Sequence, residues 1–291
     1  MHIVIICRDK TLYSVRRIYD SAKIRKHKIE ILDPYQFLLN IKDGDLSLKY
    51  SNSEFKCPDI ILPRLGAGIS DHSLNLLRHF NFAGSKVINT PESILIARDK
   101  INTLQFLAFK GLPIPNSSFS PNPNFLQTAL ENVGGMPVII KLPRSSQGNG
   151  VMKISKIQES QSIADVMWSL QQDTIVQEFI PTLPMSDIRV MVLGKKVIGC
   201  VRRLVPKNEF RSNHNRGGTF TEYKLNDEIE ELSLRAATCC GLEIAGIDFL
   251  ETENGFVILE VNSSPGFKGI EEIYKDDIGL LIIKHIESNF I

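Results

Sequence analysis

Ile244-Ala245-Gly246-Ile247-Asp248-Phe249-Leu250-Glu251 and Phe256-Val257-Ile258-Leu259-Glu260-Val261-Asn262 flank the tripeptide Glu253-Asn254-Gly255. Two runs rich in β-branched and aromatic residues around a turn-forming segment read as an antiparallel hairpin. The same stretch carries three polar residues, Asp248, Glu260 and Asn262, in otherwise apolar sequence. Glu260 and Asn262 are two apart, hence on one face of a strand. A solvated edge strand is the plain alternative, but Val257 to Val261 is too apolar for one. A carboxylate in such surroundings needs a cation or hydrogen bonds to stay ionised. Hard oxygen ligands of this kind suit Mg²⁺ or Mn²⁺ held jointly with substrate phosphates.

The register of this hairpin decides whether that site can exist. Asn254-Gly255 favours a two-residue turn, which pairs Asp248 with Val261 and turns Asp248 away from Glu260. A slip of one residue exchanges the faces. A shared site therefore requires a three-residue loop, Glu253-Asn254-Gly255, or a bulge that restores the pairing of Asp248 with Glu260. Gly246, Asp248, Leu250, Ile258, Glu260 and Asn262 are then expected on the site face. Ile247, Phe249, Val257, Leu259 and Val261 are expected in the core.

Outward from the hairpin, residues 187–205 read as a second hairpin turning at Gly194-Lys195, and 226–241 as a helix. Further upstream, 138–142, 151–154 and 174–180 are strand-like, with a helix at 157–170. Residues 113–123 hold four prolines and read as a linker or an extended strand. Residues 1 to 95 differ in character. Strands at 2–7, 28–32, 59–62 and 87–88 alternate with helices at 14–26 and 71–82, which argues for a parallel sheet. The expected organisation is thus an N-terminal α/β unit (1–95), a central unit (96–181) and a C-terminal α+β unit (182–291).

Three further constellations accompany the hairpin. Strand 138–142 delivers Lys141 into the polar loop Arg144-Ser145-Ser146-Gln147-Gly148-Asn149-Gly150. Its amides could wrap phosphate oxygens, Gly148 and Gly150 permitting close approach; a hairpin loop with a snorkelling lysine is the alternative. Gln177-Glu178-Phe179-Ile180 could offer a purine its backbone groups and an apolar face, with Asp187 accepting from ribose; an ordinary strand and a salt-bridged hairpin is the other reading. Arg202, Arg203, Arg211-Ser212-Asn213, His214 and Arg216-Gly217-Gly218 form a basic cluster suited to phosphate or carboxylate, or a solvated loop.

Bulk composition narrows the class. Of 291 residues, 34 are Lys or Arg and 33 Asp or Glu, so the net charge of +1 announces no nucleic-acid partner. No run approaches the ~18 apolar residues of a membrane span. The five cysteines lack CxxC spacing and read as reduced core residues, in keeping with a cytoplasmic protein. No GxSxG or paired Cys/His marks a nucleophile.

Taken together, this order of motifs resembles the ATP-grasp ligases, and most closely the RimK-type ribosomal-protein glutamate ligases. The resemblance extends to Arg8-Asp9-Lys10-Thr11-Leu12-Tyr13-Ser14, Glu30-Ile31-Leu32-Asp33-Pro34 and Ala97-Arg98-Asp99-Lys100. It includes Phe210-Arg211-Ser212-Asn213, Ala245-Gly246-Ile247-Asp248 and Glu260-Val261-Asn262-Ser263-Ser264-Pro265-Gly266. It implies an ATP-grasp fold behind a parallel α/β pre-ATP-grasp domain. ATP and two Mg²⁺ or Mn²⁺ ions would be the cofactors. Lys100, Lys141, Gln147, Gly148 and Gly150 would contact phosphates. Glu178, Phe179 and Ile180 would line adenine, with Asp187 at ribose. Arg211, Ser212 and Asn213 would complete the nucleotide and phosphoryl site. Asp248, Glu260 and Asn262 would hold the metals, and Arg203 and Arg211 would serve catalysis at the acyl phosphate.

By the same resemblance, L-glutamate is joined to the C-terminal glutamate of a small-subunit ribosomal protein by a homo-oligomeric enzyme, with no direct nucleic-acid contact. A poly-glutamate or other amino-acid ligase, and a non-catalytic ATP-binding module, are the alternatives. The chain departs from the family in one place. The phosphate loop there usually reads Glu-Gly-Thr-Gln-Gly-x-Gly, and here Arg144-Ser145-Ser146 replaces its first three residues.

Overall fold

A computed structural model of the chain describes residues 1–66, 69–144, 149–182, 184–205 and 219–290. Gln147, Gly148, Arg211, Ser212 and Asn213 lie outside the described residues.

The N-terminal sheet is parallel, as the strand–helix alternation predicts. Strands β1 (His2–Ile6), β2 (Lys28–Leu32), β6 (Ile60–Pro63) and β7 (Lys86–Val87) are ordered β2-β1-β6-β7. Helices α1 (Tyr13–Ile24) and α2 (Asp71–Phe82) connect them. Between β2 and β6 the chain inserts an antiparallel meander, β3 (Phe37–Lys42), β4 (Asp45–Tyr50) and β5 (Ser53–Phe55), absent from the sequence expectation. Phe37 and Leu48 are the buried residues of its three strands, so few positions carry a hydrophobic pattern. Phe37 packs edge-on against Phe55 and Phe80, tying the meander to α2.

Two helices follow, α3 (Pro91–Arg98) and α4 (Lys100–Phe109). Asp99 separates them because its carboxylate caps the amides of Ile101 and Asn102 while its own backbone is extended. The proline-rich segment leads into β8 (Ser117–Ser120), followed by α5 (Leu126–Asn132). Strands β9 (Val138–Lys141), β10 (Val151–Ile154) and β11 (Thr174–Glu178), with helix α6 (Ile157–Ser169), complete an antiparallel sheet ordered β10-β9-β11-β8.

The largest sheet is antiparallel, ordered β14-β13-β12-β15-β16. It contains β12 (Ser186–Leu193), β13 (Lys196–Leu204), β14 (Thr219–Glu222), β15 (Ile244–Thr252) and β16 (Gly255–Asn262). One face buries Ile188, Val190, Ile247, Phe249 and Ile258 against helix α7 (Asp227–Cys239). At one end, the other face carries Met191, Leu193, Val201 and Ile244 into a core shared with Ile3, Ile5 and Ile18 of the N-terminal sheet and α1. Helices α8 (Lys268–Tyr274) and α9 (Ile278–Asn289) complete that core. Gly279 lets α9 approach α1 closely, since a Cβ there would lie 2.7 Å from the Arg17 carbonyl. The N-terminal and C-terminal sheets are therefore held together by buried apolar surface.

The β15–β16 hairpin pairs Asp248 with Glu260. The route to that register is the bulge and not the three-residue loop. Thr252 pairs with Gly255 around a two-residue connection, Glu253-Asn254, and the register shifts beside Asp248. The pairs run Phe249–Ile258, then Asp248–Glu260, so Leu259 is the extra residue. Three face assignments are corrected as a result. Ile258 faces the core, fully buried beside Phe249, Val257 pairs with Leu250 on the opposite face and is only partly buried, and Leu259 lines a cleft with Lys100, Lys141 and Glu260. A bulge reverses face assignments only on one side of itself.

Gly246, opposite Asn262, has a packing reason: a Cβ there would lie 2.7 Å from the Pro265 Cβ. The Gly246→Ala variant is expected to lose about 1–3 kcal/mol of stability, the usual cost of overpacking. Thermal denaturation checks this; an unchanged midpoint would mean that Pro265 moves aside freely.

Candidate active site

Strand register lays the site across one face of the large sheet. Asp187 of β12 is opposite Arg203 of β13, and Arg189 of β12 is opposite Asp248 of β15. Asp248 is in turn opposite Glu260 of β16, and Gly246 opposite Asn262. Residues directly opposite share a face, so Arg203, Asp187, Arg189, Asp248 and Glu260 form a ladder of charges across neighbouring strands.

These charges pair within the ladder. Arg203 donates from Nε to Asp187 Oδ1 at 2.6 Å and from Nη2 to Oδ2 at 2.5 Å. The same Nη2 lies 2.9 Å from Asp248 Oδ2. Arg189 donates from Nη2 to Asp248 Oδ2 at 2.6 Å and also from Nε to Oδ1. Asp248 is only 4% exposed. Burial by itself raises its pKa, but Arg189 and Arg203 outweigh it and hold the carboxyl below its ordinary value. Burial lowers the Arg203 pKa, yet Asp187 and Asp248 reverse that and raise it.

Arg189 was not among the residues singled out from sequence. Its signal was present: it stands two residues after Asp187, hence on the same face of β12. Only the pairing of β12 with β15 shows what it meets there.

Lys100 begins α4, and its Nζ lies 3.3 Å from Glu260 Oε1. Lys141 ends β9, and its Nζ donates to Gln177 Oε1 at 2.5 Å. Gln177 passes the contact on, donating to Ser117 Oγ at 2.8 Å. Lys100, Lys141, Gln177 and Glu260 line one cleft between the central sheet and the large sheet. Burial pushes the Lys141 ammonium down to about 8, with Lys100 adding to the shift and Glu260 opposing it. Gly150 closes the hairpin beside Lys141 at φ +65°, its carbonyl accepting from the Leu142 amide at 3.0 Å.

The segment expected at a purine divides its roles. The Glu178 carboxylate accepts from the Asn116 amide at 2.7 Å and from its side chain at 3.1 Å, so it faces the proline-rich linker. Phe179 carries Lys153 Nζ over its ring at 3.7 Å from the centroid. Ile180 follows, partly exposed. Asp187, expected at ribose, is buried and engaged by Arg203 through both oxygens.

Two carboxylates and an amide, Asp248, Glu260 and Asn262, make a hard-oxygen donor set suited to Mg²⁺. Asn262 Nδ2 is buried without a partner among the described residues. Turned over, the same amide presents its oxygen at that point. No cluster of three or more His, Cys, Asp or Glu that could hold a metal exists among the described residues. A divalent ion here would therefore draw further oxygens from its substrate, as Mg²⁺ sites commonly do. The residues fit the metal.

A lysine whose folded pKa lies below its unfolded value makes the unfolded state the better proton binder. Stability then rises with pH between about 8 and the ordinary 10.5, and the cost of Lys141 is largest below pH 8. Lys141→Met is accordingly expected to raise the melting temperature of the ligand-free protein at pH 7 by more than at pH 9.5. Thermal denaturation at the two pH values checks it; an equal gain at both would refute the depressed pKa.

Comparison with known proteins agrees with this geometry along the whole chain. Residues 1–94 match the family model of the RimK PreATP-grasp domain, and residues 97–286 that of the RimK-like ATP-grasp domain. The probable alpha-L-glutamate ligase of Vibrio vulnificus is 35% identical over 289 residues, 99% of this chain and 96% of that protein. Its counterpart in Chromohalobacter salexigens is 37% identical over the same shares of both chains. Among solved structures, a RimK domain ATP-grasp protein from Sphaerobacter thermophilus superposes with a TM-score of 0.79 at 18% identity, covering 98% of this chain and 99% of that one. The ATP-grasp ligase PsnB, complexed with minimal precursor, Mg and ADP, has a TM-score of 0.74 at 19% identity, covering 99% and 98%. This chain belongs to the RimK-like ATP-grasp family and is an ATP-dependent ligase.

Proposed function

We propose that this protein joins L-glutamate to the C-terminal glutamate of a small-subunit ribosomal protein, through an acyl phosphate formed from ATP. One observation carries the ligase chemistry: Lys100 and Lys141 line one cleft with Glu260, the last member of the charge ladder that runs through Asp248. Two lysines opposite a carboxylate that continues the ladder to Asp248 suit a polyphosphate held with divalent ions. The naming of full-length relatives as probable alpha-L-glutamate ligases supports glutamate as the amino acid.

In this reading Lys100 and Lys141 neutralise ATP phosphates, together with Gln147 and Gly148 of the loop that Gly150 closes. Backbone groups at Phe179 and Ile180 meet the adenine, since the Glu178 carboxylate is held by Asn116. Asp187 holds Arg203 in place rather than meeting ribose. Asp248, Glu260 and Asn262 hold two Mg²⁺ or Mn²⁺ ions, which supply charge neutralisation for the transferred phosphoryl group. An acceptor carboxylate oxygen attacks the γ-phosphorus and ADP leaves. The glutamate amine then attacks the acyl carbon, loses a proton and expels phosphate, leaving an amide. Arg203 and Arg211 supply positive charge to the acyl phosphate. Such catalysis is mainly positioning and electrostatic stabilisation.

ADP release should require L-glutamate and an acidic acceptor peptide together, and mass spectrometry should show the peptide gaining glutamyl residues. Release with glutamate alone, yielding free poly-glutamate, would overturn the protein acceptor. Release indifferent to any amino acid would overturn the ligation assigned here. Glu260→Ala should abolish turnover. Wild-type turnover by that variant at saturating Mg²⁺ would remove Glu260 from the metal site.

A further inference from the structure

The N-terminal sheet holds a buried arginine that the chemistry above does not use. Arg64 follows the last residue of β6, and its backbone amide donates to the Ile6 carbonyl at 2.9 Å. This places it at the carboxyl ends of β1 and β6. The sheet order β2-β1-β6-β7 reverses direction between those two strands. In open parallel sheets, ligands bind in the crevice at such a reversal.

Arg64 is 7% exposed. Its Nη2 donates to Ser14 Oγ at 3.0 Å and to the Pro265 carbonyl at 2.6 Å. Its Nε is buried without a partner, and no carboxylate among the described residues pairs with it. Two acids around the start of α1 are engaged elsewhere: Asp9 by the amide and hydroxyl of Thr11, Glu271 by Tyr13 and Arg17. Burial lowers the guanidinium pKa to about 10, which is the cost of a cation without a counter-charge.

Ser14 lies in the first turn of α1. That helix has no side-chain cap and no acid in its first turn, so its positive end is uncompensated. Pro265 connects the same place to the ligase site. Gly246 lets Pro265 lie against β15, and the aliphatic stem of Arg189 borders Gly246 as well, a Cβ there lying 3.6 Å from Arg189 Cδ. The guanidinium thus stands beside the loop that follows Asn262.

We propose that Arg64 and the first turn of α1 form a carboxylate-binding subsite beside the metal-site loop. A planar guanidinium and uncapped helical amides match a carboxylate's two oxygens. The carboxylate comes from the amino acid or from the acidic acceptor, and this identification of its source rests on the ligase reading.

Arg64→Gln removes the charge while keeping a donor for Pro265. It should raise KM for L-glutamate or for an acidic acceptor peptide about tenfold or more, the loss of one charge-assisted hydrogen bond. KM for ATP should stay within about twofold of wild type on the same reasoning. Whichever KM moves names the source. Arg64→Lys should recover part of the loss. A fall in kcat or a rise in ATP KM, with both carboxylate KM values unchanged, would overturn the subsite and leave Arg64 as a prop for the loop. Should Arg64→Gln not fold, Arg64→Lys is read alone: a raised carboxylate KM supports the subsite, unchanged values overturn it. If the wild type releases no ADP with glutamate and acceptor, the ligase reading fails separately. Calorimetry with glutarate then decides: weaker binding to Arg64→Gln than to wild type supports the subsite, and equal binding overturns it.

Discussion

Asp248 lies buried between two arginines, Arg189 of the adjacent strand and Arg203 of the strand beyond it, and the rest of the site depends on that arrangement. A lone carboxylate could not stay ionised there. Arg189 and Arg203 keep it charged, and Asp187 in turn fixes Arg203. Each ion pair joins two strands, Arg203 of β13 with Asp187 of β12 and Arg189 of β12 with Asp248 of β15, so the pairing exists only in one register of the sheet. Removing one member would leave a buried charge without its counter-charge, which is more costly than never having had the pair. The ladder thus specifies strand alignment as well as chemistry.

The N-terminal domain reaches into this arrangement through side chains. Asn89, 3% exposed, uses its whole amide on the large sheet. Its Nδ2 donates to the carbonyls of Ile244 and Ser263 at 2.7 and 2.8 Å, and its Oδ1 accepts from the amides of Glu243 and Ile244. Arg64 holds the Pro265 carbonyl. The segment immediately after Asn262 is therefore anchored from outside the sheet that carries it. Together with the core shared by α1, α9 and the large sheet, this makes the N-terminal domain part of the site's support.

The replacement of the family's acidic loop residue by Arg144 has a visible local consequence. Arg144 Nε lies 3.2 Å from Asp99 Oδ2, the carboxylate that caps α4. The Lys100 amide donates to the Pro143 carbonyl at 3.0 Å. Pro143-Arg144 and the start of α4 are thus fastened to each other around Lys100. An acid at position 144 would face Asp99 with like charge; the arginine converts that contact to attraction. Arg144 is largely exposed, so the energetic contribution of the pair is small.

Much of this protein was legible along the chain because the relevant physics is local. Alternating strands and helices announced the parallel sheet, and apolar runs broken by Asp248, Glu260 and Asn262 marked the site hairpin. The need for two carboxylates on one face even required the loop or the bulge before the bulge was seen. The meander at β3–β5 escaped because its strands bury only Phe37 and Leu48, which leaves little hydrophobic pattern. Arg189, Arg64 and Asn89 escaped for another reason: their partners are 59, 201 and up to 174 residues away. Asp187, read as a ribose ligand, is engaged by Arg203: the hairpin is legible in sequence, but the bulge beside Met191 that sets Arg203 rather than Arg202 opposite Asp187 is not. Residue type and spacing determined which chemistry this chain carries. The tertiary pairing of strands alone decided which charges neutralise one another, because Coulomb and hydrogen-bond energies depend on distance in space and not along the chain.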